Sequence, residues 1–280
     1  MKTGIKIGFL IAILIWVLWG CGDNERGEQA TSNNSEVGVA LYSFNRFAFP
    51  QTLEKSKQSG AQIVEGFYFH KLGGEYGEKR MIELSEREVE ELKNQIGEAG
   101  IDIKSMYAGG ETLEEWEELF KRSKKLGAEF LVGEPEPELW DGLNELAGEY
   151  RMKLAIHEHA RGKSIFWHPD SVLAAIDGHE NFGACGDLGH WVRSGLDPVE
   201  CLKMLEGHLI SIHAKDLDTY GNLEANDVKV GSGVIDYEAV LEELKRQNFT
   251  GPIYIECEHD WENNLEDVKY AVEYIRRLSR

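Results

Sequence analysis

From Val37 to the end of the chain, short apolar runs alternate with helical patterns, and the alternation repeats eight times. Few folds accommodate such a chain. Each apolar run has the length of one strand, and each intervening stretch is long enough for a crossover helix, so successive strands lie parallel. Strands are predicted at 37–43, 61–69, 101–107 and 129–132, then at 152–159, 183–188, 209–215 and 252–258. Eight strand–helix pairs in about 240 residues is the usual size of a (β/α)8 TIM barrel. A doubly wound open sheet is the competing α/β architecture, but no glycine-rich nucleotide fingerprint follows the first run, which ends in SFNRFAFP. We expect one barrel domain over residues 37–280. Its longest connection, 216–235, has the length of an active-site loop rather than a linker.

Helix signals agree with this reading. Gly127 is placed to cap the helix carrying Leu113, Trp116, Phe120 and Leu126. Asp197-Pro198 and Asp236 are placed to open two others, and Leu265, Val268, Val272, Ile275 and Leu278 share a face of the last.

The amino terminus reads differently. In MKTGIKIGFLIAILIWVLWGC two lysines precede an apolar run from Ile7 to Trp19, closed by Gly20 and Cys21, which is the layout of a secretory signal. Leu18-Trp19-Gly20-Cys21 resembles a bacterial lipobox, whose cysteine is lipidated, although Trp19 stands where a small residue is usual. Residues 1–21 are therefore expected to be a lipoprotein signal with Cys21 as the lipidation site, and 22–36 a polar, flexible tether. An uncleaved apolar anchor is the alternative. Either places the domain in the cell envelope, outside the cytoplasm, with the membrane reached through the anchor alone. Cys185, Cys201 and Cys257 have no regular spacing and are expected to pack in the core. A net charge of −20 argues against nucleic acid as a partner.

Strand alternation selects the residues that meet inside the barrel. On the fifth strand Ala155, His157 and His159 share one face, and Leu154, Ile156 and Glu158 the other. The apolar run must face helices, so His157 and His159 point inward. On the seventh strand Ile210 and Ile212 pack outward, leaving His213 and Lys215 inward. On the eighth, Tyr254, Glu256 and Glu258 face in, and Asp187 ends the sixth. Four successive strands thus offer His157, Asp187, His213 and Glu256 at the carboxyl rim, where parallel barrels carry their sites. Two imidazoles and two carboxylates suit one Mn, Zn, Fe or Co ion better than calcium.

The segments AIHEH, CGDLGHW, ISIHAKDL and IYIECE resemble the sugar phosphate isomerase/epimerase superfamily. These are the xylose isomerase-like TIM barrels, which include endonuclease IV-type enzymes, and the resemblance is to a lipoprotein branch of them. It covers about Val37 to Arg280. In the epimerase branch one metal is held by Glu, Asp, His and Glu from the last four strands, and those ligands fall on His157, Asp187, His213 and Glu256. His157 is the departure. Ketose epimerases use two metal-bound glutamates as an acid–base pair, and here Glu256 alone keeps that capacity.

The expected chemistry is proton abstraction beside the carbonyl of a sugar or keto-sugar, through a metal-stabilised enediolate. Glu256 is the expected base, Lys215 a donor to the oxyanion, and His159 a further catalytic candidate. His190, Trp191, Glu158 and Glu258 are expected to meet substrate, and Tyr107, Trp167 and Phe69 could stack on it. Glu65 and Glu134 are possible supports of the ligands. Gly231-Ser232-Gly233 is a further candidate, as a cradle for a phosphate. Isomerisation, epimerisation and β-elimination of a keto-glycoside share the enediolate. A lipid-anchored carbohydrate-binding protein, an abasic-site nuclease and hydrolysis by Glu256 and Glu258 are the competing functions. The sequence says nothing of oligomeric state.

Overall fold

The computed structural model of the chain describes Met1 and residues 35–280. The expected signal beyond Met1, Cys21, and the tether up to residue 34 lie outside the described residues. Among those described, eight parallel strands close into a barrel. They are β1 (Val37–Ala40), β2 (Ile63–Phe67), β3 (Asp102–Tyr107), β4 (Phe130–Gly133), β5 (Lys153–His157), β6 (Phe182–Asp187), β7 (Leu209–Ala214) and β10 (Ile253–Ile255). The last strand pairs with the first, Val37 opposite Ile253, and this closes the sheet. Two further strands, β8 (Asp216–Leu217) and β9 (Asp227–Val228), form a small antiparallel ladder in the connection after β7.

The helices are α1 (Phe49–Gln58), α2 (Glu86–Ala99), α3 (Leu113–Leu126), α4 (Trp140–Tyr150), α5 (Pro169–Ile176), α6 (Leu188–Arg193), α7 (Pro198–Met204), α8 (Tyr237–Arg246) and α9 (Leu265–Leu278). The expected caps are in place. Gly127 ends α3 at φ 106°, a left-handed conformation that glycine adopts without a Cβ penalty. Asp197 accepts from Val199 and Glu200 N–H, and Asp236 from Ala239 N–H, so each satisfies amides that a helix start leaves unpaired.

Alternation separates two apolar layers. Leu154, Ile156, Ile212, Ile253, Ile255 and Cys257 join the layer between sheet and helices. Ala155, Cys185 and Tyr254 belong with Ile63, Phe130 and Val132 to the cluster inside the barrel. Ile210 departs from expectation. The register shifts between Ala184 and Cys185, which pair with Leu209 and Ser211, and Ile210 packs on the interior cluster instead of facing outward. An irregularity of this kind breaks the period-2 rule over one residue. Cys185, Cys201 and Cys257 are free and buried, as core residues should be.

Candidate metal centre

Register places the rim residues. Asp187 pairs with His213 across β6 and β7, and Tyr254 of β10 lies on the other side of His213. Glu256 continues β10 on the same face, its N–H donating to Ala214 O at 3.0 Å. His157 pairs with Cys185, two positions before Asp187, and barrel stagger brings its ring level with the others. His157 Nε2 lies 3.4 Å and His213 Nδ1 3.7 Å from Asp187 Oδ2, and His213 Nδ1 lies 3.0 Å from Glu256 Oε2. The four residues are buried, and each offers one ligand atom within 4.8 Å of the rest.

The donor set fits an ion. Asp187 Oδ2, His213 Nδ1 and Glu256 Oε2 are buried and lack hydrogen-bond partners. Such groups carry a full desolvation cost unless something coordinates them. The opposite sides of His213, His157 and Asp187 are engaged. His213 Nε2 meets Glu65 Oε1 at 2.8 Å, and Glu65 Oε2 accepts from Ser105 Oγ at 2.8 Å. His157 Nδ1 meets Glu134 Oε1 at 3.1 Å, while Asp187 Oδ1 caps α6 by accepting from His190 N–H at 2.9 Å. Carboxylates behind the histidines orient the rings and leave the other nitrogen for a metal. The expected supporting roles of Glu65 and Glu134 therefore have a geometry.

Lys215 is buried beside this cluster. Its Nζ lies 3.1 Å from Asp187 Oδ2, 2.8 Å from Glu256 Oε2 and 2.6 Å from Glu258 Oε1. The Asp187 and Glu256 contacts have the distance of ion pairs without hydrogen-bond alignment, so these oxygens remain directed at the cluster. Burial works against the ammonium, but the three carboxylates outweigh it and hold Lys215 charged well above the usual lysine range. Burial likewise favours the neutral form of Glu256, yet Lys215 and His213 hold it below the usual carboxylate range. His190 goes the other way, burial keeping its imidazole neutral.

A cavity of about 230 Å³ opens above the cluster. Tyr42, Phe67, Phe69 and Tyr107 line it together with His157, His159, His190, Lys215, Glu256 and Glu258. His159 Nδ1 contacts Glu134 Oε1 at 2.5 Å, and Tyr107 donates to the same oxygen at 2.8 Å. Of the residues expected to meet substrate, His190 and Glu258 line the cavity. Trp191 and Glu158 do not. Trp191 is fully buried, packed beneath Gly186 of β6, because α6 begins at the strand end and turns this side chain into the core. Glu158, also fully buried, is directed outward by strand alternation with no partner on either oxygen. Trp167 stays outside the cavity, with Arg161 5.8 Å over its ring.

Tyr42 carries no signal in the sequence beyond its strand, and Tyr254 none beyond its inward face. Tyr42 follows β1 in a short 3-10 turn, and the Tyr254 hydroxyl lies 2.9 Å from Ser105 Oγ inside the barrel. A Cys257–His259–Asp267 line also emerges behind β10, with Sγ 3.4 Å from Nδ1 and Nε2 3.0 Å from the carboxylate. Burial pushes the Cys257 thiol up to about 12, so the line lacks a thiolate nucleophile.

Comparison with known proteins agrees with the architecture. Residues 53–278 match the family described as xylose isomerase-like TIM barrel. The inosose dehydratase of Mesomycoplasma hyopneumoniae strain 7448 is 28% identical over 161 residues, 50% of this chain and 53% of that protein. The inosose dehydratase of Clostridium perfringens is 27% identical over 179 residues, 58% and 54% of the two chains. The chain thus spans about half the length of the curated relatives it matches. A crystal structure of an uncharacterized protein from Parabacteroides distasonis superposes with a TM-score of 0.70 at 30% identity, covering 87% of this chain and 98% of that one. D-psicose 3-epimerase, crystallised in the presence of D-fructose, superposes at 0.67 with 15% identity over 87% and 99% of the chains, a likeness of fold alone.

Proposed function

Because the chain belongs to the xylose isomerase-like TIM barrel family, we propose that it is a divalent-metal-dependent enzyme abstracting a proton beside the carbonyl of a sugar or keto-sugar. The observation that carries this reading is the convergence of Asp187 Oδ2, His213 Nδ1 and Glu256 Oε2, all without hydrogen-bond partners, on one point beside His157 Nε2. Two nitrogens and two oxygens suit Mn, Zn, Fe or Co. When bound, such an ion would polarise a carbonyl and an adjacent hydroxyl and make the neighbouring C–H more acidic.

The chain's own groups supply the rest. Glu256, ionised and facing the cavity, accepts the proton as general base. The Lys215 ammonium donates to the oxygen on which charge develops, and its carboxylate partners fix it in place before substrate arrives. The cavity-lining aromatics Tyr42, Phe67, Phe69 and Tyr107 hold the apolar face of the sugar.

A second reading, β-elimination from a keto-sugar or keto-glycoside, is favoured by His157. With a histidine in that ligand position, the set holds one base of the glutamate type rather than a facing pair. Elimination needs only one. Glu256 takes the α-proton, the C–H electron pair forms the C=C bond, and the β C–O bond breaks. The departing oxygen is protonated by His159, which lines the cavity and is oriented by Glu134 through Nδ1. That the curated relatives include inosose dehydratases supports this reading.

Elemental analysis of the purified protein should find about one equivalent of Mn, Zn, Fe or Co, lost in His157→Ala and Glu256→Ala. Glu134→Gln should weaken binding roughly 10- to 100-fold, the usual cost of removing a partner behind a ligand. The metal-loaded protein should then incorporate solvent deuterium next to the carbonyl of a keto-sugar. Failure to take up metal would remove the electrophile. Metal uptake without exchange or elimination across a panel of keto-sugars would leave the carbohydrate-binding role.

A further inference from the structure

In TIM barrels that recognise phosphate esters, the anion commonly lies on backbone amides of the loops after the seventh and eighth strands, near a helix start. The equivalent amides here are those of Gly231, Gly233 and Ile235, in the connection between β7 and α8. They point inward, not to solvent. Asp216 Oδ2 accepts from Gly231 and Gly233 N–H, each at 2.9 Å, and Oδ1 accepts from Ile235 N–H at 3.1 Å and from its own neighbour Leu217 at 2.9 Å. Asp216 is fully buried. The two glycines are required by this arrangement. Gly231 has φ +83°, and a Cβ on Gly233 would overlap Asp216 Oδ1 and Leu217 O.

We propose that the enzyme takes its sugar unphosphorylated, because Asp216 fills the anion-binding amides of the barrel with a carboxylate of the chain itself. This rests on the function proposed above. It accounts for the GSG segment: the glycines cradle an anion, but the anion is intramolecular.

Three neighbouring features act in the same direction. The start of α8 is occupied too, by the Asp236 carboxylate on Ala239 N–H at 3.1 Å. After the eighth barrel strand, residues 256–267 are rich in carboxylates and hold no lysine or arginine. Lys215, the one lysine or arginine on the cavity wall among the described residues, is already paired with Asp187, Glu256 and Glu258. Arg46 lies 5.8 Å over the Trp261 ring and does not line the cavity. A phosphate dianion brought into this cavity meets carboxylates without an unpaired lysine or arginine to neutralise it. A neutral hydroxyl carries no such penalty.

The test has one arm that does not depend on turnover. Inorganic phosphate is titrated into the metal-loaded wild-type protein at constant ionic strength, and the melting temperature is followed. No saturable rise is expected. Asp216→Gly should instead be stabilised saturably by formate, which replaces the missing carboxylate, with formate having no such effect on the wild type. In the second arm, deuterium exchange is compared between a keto-sugar and its phosphate ester, and kcat/KM should favour the unphosphorylated form by roughly 100-fold or more. Saturable phosphate binding by the wild type, a preference for the ester, or a folded Asp216→Gly protein indifferent to formate would each overturn the proposal. If Asp216→Gly does not fold, the wild-type titration decides. If neither sugar is turned over, the proposed function fails, and the phosphate and formate titrations still decide whether the amides are filled.

Discussion

Glu158 follows His157 by one position, and that single step of strand alternation turns it from the cavity into the layer behind the rim. Both of its oxygens are buried without a hydrogen-bond partner. Burial pushes its carboxyl up to about 8, with the charge of His157 opposing only in part. The consequence for stability has a definite sign. Below about pH 4.5 the group is protonated in both folded and unfolded chains. As pH rises further the unfolded chain ionises first, so this residue's contribution to stability falls until it levels off above about pH 8. Thermal melts of wild type and Glu158→Gln should therefore diverge with pH, the variant gaining on the wild type between pH 5 and pH 8.5. A constant difference across that range would mean that Glu158 is not held neutral by the fold. At this scale the sequence is informative about direction and silent about surroundings. Alternation correctly turned Glu158 outward, but whether an outward carboxylate meets water or apolar packing depends on the helix that lands on it.

At the scale of elements, β6 and α6 act as one device. Asp187 ends the strand and caps the helix, and its Oδ1 is committed to His190 N–H, which leaves Oδ2 directed at the four-residue cluster. The same short helix puts His190 on the cavity wall and Trp191 into the core. Gly186 makes the junction possible, because a Cβ there would lie 2.5 Å from the Trp191 ring and 3.2 Å from Ile212. Gly186→Ala should cost about 1–3 kcal/mol in urea denaturation, the usual range for overpacking a filled core. It should also weaken metal binding, since the relief of that overlap moves α6 and with it the cap on Asp187. Unchanged stability and metal affinity would show that the junction has slack. CGDLGHW shows the strand end and the candidate ligand Asp187 in the sequence, but Trp191 is expected from it to meet substrate, because the six-residue α6 is too short for its apolar face to emerge from periodicity.

For the whole molecule, the amino-terminal segment bears on where the chain resides. We propose that Cys21 is lipidated and holds the barrel to the envelope. Cells fed labelled palmitate should incorporate label into the wild-type chain and not into Cys21→Ser, and an unlabelled wild-type chain would sink the proposal. Barrel closure itself joins distant parts of the chain: Ser43 Oγ donates to Ile255 O at 3.2 Å and accepts from Cys257 N–H at 2.9 Å, while Asn264 donates to Ser43 O at 2.7 Å. The sequence by itself determined the eightfold strand–helix alternation and, through the two-residue period of each strand, the inward face on which His157, Asp187, His213 and Glu256 share a rim. Those are local properties, carried by neighbours along one strand. Only the tertiary structure decided that Glu65 supports His213 from 148 positions away, that Ile210 turns inward at a register shift, and that Asp216 fills the amides of the GSG turn. Each of these depends on which groups barrel closure and loop packing bring within about 3 Å of one another, a distance that the period of a single strand does not encode.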